Sequence, residues 1–164
     1  MDKNVHMWGE GLFLARIGVL SDTHGLLRRE VLEVLQGCDQ IIHAGDFADA
    51  GVLEALEDLA PVYAVRGNND WGSWASHLPR HLVFEVEGVR FCMAHDRSWL
   101  PWDLQGVQVV IFGHSHQYFQ EQIEGRLWLN PGSCGYPRFR RELSMAVLTI
   151  EEGRPQVQRI DIRP

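Results

Sequence analysis

Five apolar runs in this chain each end on a polar cluster drawn from the same few residue types. Ala15–Leu20 leads into Ser-Asp-Thr-His-Gly at 21–25, and Gln40–Ala44 into Gly45 and Asp46. Val62–Val65 leads into Arg-Gly-Asn-Asn-Asp at 66–70, Val89–Ala94 into His95 and Asp96, and Val107–Phe112 into Gly-His-Ser-His at 113–116. Short aliphatic runs that stop at glycine or polar residues read as strands. In an open α/β sheet the ligand crevice lies outside the carboxyl ends of the strands, so these clusters can meet in one place.

Seven residues in the clusters are metal-ligand types: Asp22, His24, Asp46, Asn68, His95, His114 and His116. Carboxylate and amide oxygens mixed with imidazole nitrogens suit borderline divalent ions such as Mn, Fe, Co, Ni or Zn, and argue against a sulfur-bound structural zinc. His114 and His116, two apart, face the same side of an extended segment. Two aspartates and four imidazoles converging without metal would be costly to bury.

The rest of the pattern divides the chain in two. The spacing predicts helices over 26–36 and 49–59, between strands at 15–20, 40–44 and 62–65, which is the β-α-β-α-β order of parallel strands. The second half reads as mostly β: 81–87 with 89–94, then 107–112, 118–123 with 126–129, and 143–150 with 157–162. Two packed sheets with helices outside would bury both halves. The expectation is an N-terminal extension over 1–14, read as an arm, an extra edge strand or a start-codon artefact, and a single domain over 15–164.

Composition narrows the function. At 164 residues and a net charge of −7, the chain is a poor general binder of nucleic acid. No apolar run reaches the 18 or so residues of a membrane span. Cys38, Cys92 and Cys134 are scattered and odd in number, which reads as reduced thiols in a cytoplasmic protein.

D-x-H, G-D, G-N-x-D, a strand-ending histidine and G-H-x-H, in that order, resemble the calcineurin-like metallophosphoesterases. Asn-Pro-Gly-Ser at 130–133, with Pro137 and Arg138 soon after, resembles their small bacterial and archaeal phosphodiesterases. The resemblance covers about Arg16 to Ile162. It implies an α/β fold, a four-layer αββα sandwich of two mixed sheets flanked by helices. It implies two divalent ions, Mn first. One would be held by Asp22, His24 and His116, the other by Asn68, His95 and His114, with Asp46 bridging. A small phosphodiester would be attacked by a metal-bridging hydroxide. Asp46, His95, Asn69 and Asp70 would serve catalysis, Asp70 by orienting its neighbours, and a homo-oligomer is implied by resemblance only.

Departures from the family pattern are informative. Asn69 stands where many relatives carry a histidine that helps protonate the leaving group, and an amide cannot do so; general acid–base help is worth about 10²–10⁴-fold. His77 is either a substitute donor or an exposed loop histidine. Asp96, where the family usually has glycine, is either a support for an imidazole or a surface carboxylate. Trp71 with Trp74, and Trp99 with Trp102, follow two ligand loops. With Asn68 and Arg138, Trp71, Trp74 and Trp99 are candidate substrate contacts; the alternative is that the indoles pack the loops or meet another subunit. His43 reads as a hydrogen-bonded core histidine.

Two other functions compete. The superfamily includes a retromer subunit that uses this fold as a protein-binding scaffold, although such members tend to lose ligands that this chain keeps. A nuclease shares the chemistry, but the acidic charge opposes it.

Overall fold

In the computed structural model, which describes residues 6–8, 12–137 and 142–163, the strands form two mixed sheets. The first half runs β1 (His6–Trp8), β2 (Leu12–Leu20), α1 (Arg29–Leu35), β3 (Gln40–His43), α2 (Ala50–Glu57), β4 (Val62–Ala64) and a single helical turn α3 (Ser73–Ser76). The second half runs β5 (His81–Val86), β6 (Val89–Ala94), a 3-10 turn (Arg97–Trp99), β7 (Val109–Ile111), β8 (Phe119–Ile123), β9 (Arg126–Asn130), β10 (Leu143–Glu151) and β11 (Arg154–Ile162). The sheet orders are β11-β10-β2-β3-β4, with β1 also on β2, and β5-β6-β7-β9-β8. β2, β3 and β4 are parallel, as are β6, β7 and β9; the outer pairings are antiparallel.

The hairpins follow from local chemistry. Glu87-Gly88, Glu124-Gly125 and Glu152-Gly153 each place two consecutive residues at positive φ, 47° and 78°, 51° and 78°, and 50° and 72°. That is the type I′ two-residue turn, whose twist matches antiparallel strands. Pro155, which lacks an N–H, falls in β11 at the sheet edge where no ladder donor is lost. Residues 6–8 pair with the start of β2, from His6 opposite Leu14 to Trp8 opposite Leu12. Part of the 1–14 segment is therefore an added strand, and β2 begins at Leu12 rather than at Ala15.

The main core lies between the sheets. Ile17, Val19, Ile42 and Leu148 of the first sheet meet Phe91, Met93, Ile111 and Leu129 of the second. Tyr63, Phe84 and Phe91 stack with ring centroids 4.2 and 5.0 Å apart. A second cluster seats Val31 and Leu35 of α1 and Val52 and Leu56 of α2 on the outer face of the first sheet, against Leu20, Ile41 and Met145. The outer face of the second sheet is covered differently. Cys92, Val110 and Trp128 lie under Leu100 and Leu104, carried by an irregular segment with one 3-10 turn. Pro101 and Gly106 interrupt it, so the fourth layer is thin where helices were expected. No helix among the described residues is long and apolar enough to cross a membrane.

Candidate metal centre

Parallel pairing is what gathers the clusters. β2 and β3 run side by side, and their loops continue the ladder: the Asp22 N–H donates to Gly45 O (3.0 Å), His24 N–H to Asp46 O (3.1 Å) and Gly25 N–H to Phe47 O (2.7 Å). The neighbouring sheet delivers His95 at the end of β6 and the 113–116 loop after β7, joined by the Gly113 N–H donating to His95 O (2.9 Å). Asp22, His24, Asp46, His114 and His116 all lie at positive φ, between 47° and 73°. This conformation costs on the order of 1–3 kcal/mol per residue and survives only where surrounding bonds enforce it, which is common at functional sites.

The side chains converge in two overlapping groups. Asp22, His24 and His116 bring one ligand atom each to within 4.8 Å of one another, and Asp22, Asp46 and His95 do the same. Asp22 Oδ1 is 3.7 Å from His24 Nε2, 3.4 Å from His116 Nε2 and 3.7 Å from His95 Nε2. Asp46 Oδ2 is 3.3 Å from His95 Nε2 and 3.6 Å from His24 Nε2. Asp22 Oδ1 and Asp46 Oδ2 thus each lie within 3.7 Å of both His24 and His95. Asn68 and His114 stand beside these groups: Asn68 Oδ1 is 3.2 Å from His114 Nδ1, and the His114 ring meets that of His95 edge-on at 5.3 Å. His114 belongs to neither three-atom group; its Nδ1 faces Asn68 Oδ1 and its Nε2 lies 3.8 Å from Asp96 Oδ2.

Hydrogen bonds aim the ligands. Asp22 Oδ2 accepts from Ser21 Oγ (2.8 Å) and from the His114 N–H (3.2 Å), which turns Oδ1 toward the imidazoles. His95 Nδ1–H donates to Ala44 O (2.7 Å), leaving Nε2 to face the carboxylates. That tautomer, with the far nitrogen fixed by a carbonyl, is the arrangement metal-binding histidines use. Asp22 Oδ1 and His95 Nε2 are buried yet make no hydrogen bond of good geometry. Two such atoms, one acceptor and one imidazole nitrogen, facing the same space fit a divalent cation.

Charge follows the same geometry. Burial alone would lower the His95 pKa, but the Asp46 carboxylate beside it, with Asp22, holds it above 6.5. Burial would raise Asp46, yet His95 and two Asn69 donors outweigh it and leave the carboxyl well below 3.8. Asp22 is likewise lowered: its burial penalty is outweighed by His24, His95 and His116.

Asn69 and Asp70 act on Asp46. The Asn69 N–H donates to Asp46 Oδ1 (2.8 Å) and its side-chain NH₂ to Oδ2 (2.9 Å). Asn69 stands where many relatives carry a proton-donating histidine, and in the fold it clamps a ligand. Asp70, buried, accepts from the N–H groups of Asp46 (2.9 Å), Gly67 (2.7 Å) and Ala48 (2.9 Å). Gly67 has no room for a side chain, since a Cβ there would fall on the Asp46 carboxylate and backbone. Gly67→Ala is expected to displace Asp46 and lower metal content below half of wild type, read by elemental analysis of the purified protein.

His43 takes no part as a ligand. It is fully buried, accepts from the Gly45 N–H at Nδ1 (3.0 Å) and so donates from Nε2 to Thr23 Oγ1 (3.0 Å). Burial lowers its pKa to about 3. Below pH 6.5 the unfolded chain binds a proton here that the folded chain refuses, so stability falls as pH drops. For the metal-free protein this contribution is about 3 kcal/mol between pH 7 and 4. His43→Gln should flatten the wild-type decline by roughly that amount in urea melts at the two pH values.

Other sequence candidates are placed as follows. Trp74 does not line the site. It packs edge-on against Phe47 at 6.1 Å in the cluster beneath the helices, as in the alternative in which the indoles pack the loops. Trp71 is exposed, and Trp99 lies 6.3 Å from His95. Asp96 caps the 3-10 turn, accepting from the Ser98 N–H and hydroxyl, and also faces His114. His77 is an exposed residue ending α3. Arg138 lies outside the described residues. Sequence reasoning missed Asn130, whose buried amide donates to Gly113 O and Ser115 Oγ (both 3.1 Å) and holds the 113–116 loop. Its position in Asn-Pro-Gly-Ser was the available signal.

The profile of the calcineurin-like phosphoesterase superfamily domain matches residues 15–153. A probable metallophosphoesterase of Methanothermobacter thermautotrophicus is 36% identical over 149 residues, 82% of this chain and 86% of its own length. The solved structure of a novel archaeal phosphodiesterase superposes with a TM-score of 0.75 at 25% identity, across 90% of this chain and 99% of that one. Vps29 of Chaetomium thermophilum superposes with a TM-score of 0.70 over 92% of this chain and 100% of its own, but at 16% identity it shares the fold alone.

Proposed function

This chain belongs to the calcineurin-like phosphoesterase superfamily, and on that premise we propose that it is a dinuclear, divalent-metal-dependent phosphodiesterase acting on small phosphate diesters. One observation carries the proposal. Asp22, Asp46, His24, His95 and His116 converge, with Asp22 Oδ1 and His95 Nε2 buried and facing one another without a proper hydrogen bond. Asp22, His24 and His116 would hold one ion; His95, Asn68 and His114 would hold the second, with Asp46 between them. Mn is the first expectation, with Ni, Fe, Co or Zn as alternatives. When bound, such ions lower the pKa of water towards about 7 and offset phosphoryl charge. Ser21 and the His114 N–H fix Asp22, and Asn69 and Asp70 fix Asp46, so both carboxylates are presented in one orientation.

Asn69 spends its amide on Asp46 and has no proton to give a departing alkoxide. The leaving group then departs as a stable anion, which favours aryl and other activated esters, or takes its proton from another donor. The free thiols of Cys38, Cys92 and Cys134 support a reducing compartment such as the cytoplasm.

The test is hydrolysis of bis-p-nitrophenyl phosphate by metal-stripped protein after adding back Mn, Ni, Co, Zn or Mg singly. The expected result is metal-dependent turnover with close to two ions per chain. Two ions bound without turnover on activated diesters or monoesters would refute the enzyme. A second reading, a protein-binding scaffold, is favoured by Trp102, 96% exposed, and by the Vps29-like fold. It requires a stoichiometric partner recovered by metal-free protein.

A further inference from the structure

Beside the metal centre, on the Asn68 side, lies a cleft of about 240 Å³ lined by Arg66, Asn68, Asp70, Trp71, Arg80 and Trp99. Its two arginines are unusually placed for a chain of net charge −7. The Arg66 guanidinium lies 5.7 Å from the Trp71 ring centroid, and its Nε donates to Asp70 O (2.9 Å). The Arg66 N–H donates to Pro79 O (2.8 Å), which joins the ligand loop to the residue before Arg80. The Arg80 guanidinium lies 4.6 Å over the Trp99 ring. Among the described residues neither guanidinium forms an ion pair with a carboxylate.

A guanidinium over an indole leaves its N–H edge open to a partner, because the ring covers its face; at Arg66 the Nε–H is given to Asp70 O, so the terminal NH₂ groups remain for a ligand. The stack also removes part of the side-chain entropy that binding would otherwise cost. The one acidic residue of the lining, Asp70, has its carboxylate occupied by the N–H groups of Asp46, Gly67 and Ala48, so two such guanidinium groups flanking the cleft match a phosphate, which accepts forked N–H pairs.

We propose that the Arg66–Arg80 cleft is a second anion site, and that it binds a terminal phosphate carried by the part of the substrate that is not attacked. The proposal rests on the phosphoesterase reading and narrows it: the substrate is a small diester that bears a separate phosphomonoester. Trp71 and Trp99 serve as backing for the arginines and not as stacking platforms for a base.

Two probes differing only in that group test it: ethyl p-nitrophenyl phosphate and its 2-phosphoethyl counterpart. With Mn-loaded wild type, the phosphorylated diester should have at least tenfold higher kcat/KM, mostly through KM. Arg80→Gln should lose at least fivefold of that preference, while Arg29→Gln, which removes the same charge from an exposed position on α1, should retain it. Equal kcat/KM for the two probes, or a preference that survives Arg80→Gln, would overturn the proposal. A readout free of catalysis separates this from failure of the enzyme itself. Titration of metal-free protein with inorganic phosphate at constant ionic strength should give a saturable tryptophan fluorescence change, weakened at least tenfold in Arg80→Gln. No saturable change in wild type rejects the anion site even if the diesterase is active. A saturable, Arg80-dependent change without turnover retains the site and rejects the enzyme reading.

Discussion

Asp46→Ala is expected to lower kcat/KM for bis-p-nitrophenyl phosphate by about 10³-fold or more, since a bound metal supplies several kcal/mol of transition-state stabilisation and each 1.36 kcal/mol is tenfold. Its Oδ2 lies 3.3 Å from His95 Nε2 and 3.6 Å from His24 Nε2, so one substitution opens both ligand groups. Asp46→Asn should fall with it, because the neutral amide keeps the shape but cannot supply the negative charge that offsets a divalent ion. Both losses should appear together in steady-state rates and in metal content. Activity within tenfold of wild type in Asp46→Ala would remove Asp46 from the centre.

The second large effect lies one residue past Asn69. Asp70→Ala strands the N–H groups of Asp46, Ala48 and Gly67, and a buried unpaired donor costs about 1–3 kcal/mol. Water can reach Ala48, which is less enclosed, so the expected destabilisation is about 3 kcal/mol or more, measured by urea unfolding of metal-free protein. Asp46 and Ala48 are also two of the residues at positive φ, 63° and 67°. Their strained backbone is held by the very bonds Asp70 accepts. Metal affinity should fall about 10–100-fold, the usual effect of losing a residue that supports a ligand. Asp70→Asn keeps one oxygen acceptor and should recover part of the stability. A variant with wild-type stability but no metal binding would instead make Asp70 a ligand.

Much of the site was legible because its requirements are local. Asp22, His24, Asp46, Asn68, His95, His114 and His116 each follow an apolar run, and a strand end exposes the residue after it. Glu-Gly before a change of strand reads as a tight turn because both residues must take positive φ. The helices at 26–36 and 49–59 were legible as stripes but shortened to Arg29–Leu35 and Ala50–Glu57. Asp49 marks the start of α2 by accepting the Gly51 N–H (2.8 Å), whereas Arg28 at the start of α1 offers no side-chain cap.

The sequence by itself determined the donor chemistry, the order of the clusters and their place at strand ends, since residue type, period-2 and period-3.6 patterning and glycine spacing all act over a few positions. Only the tertiary structure decided which atoms meet. Trp74 turned inward to Phe47 while Trp71 stayed out, although both share one W-x-x-W loop. Asn69 found Asp46, 23 positions away, and His114 found Asn68, 46 positions away. Arg66 and Arg80 came to face one cleft through the bond from Arg66 to Pro79. Such partnerships depend on how two sheets stack and how each loop leaves its strand, and no periodicity within the chain encodes that.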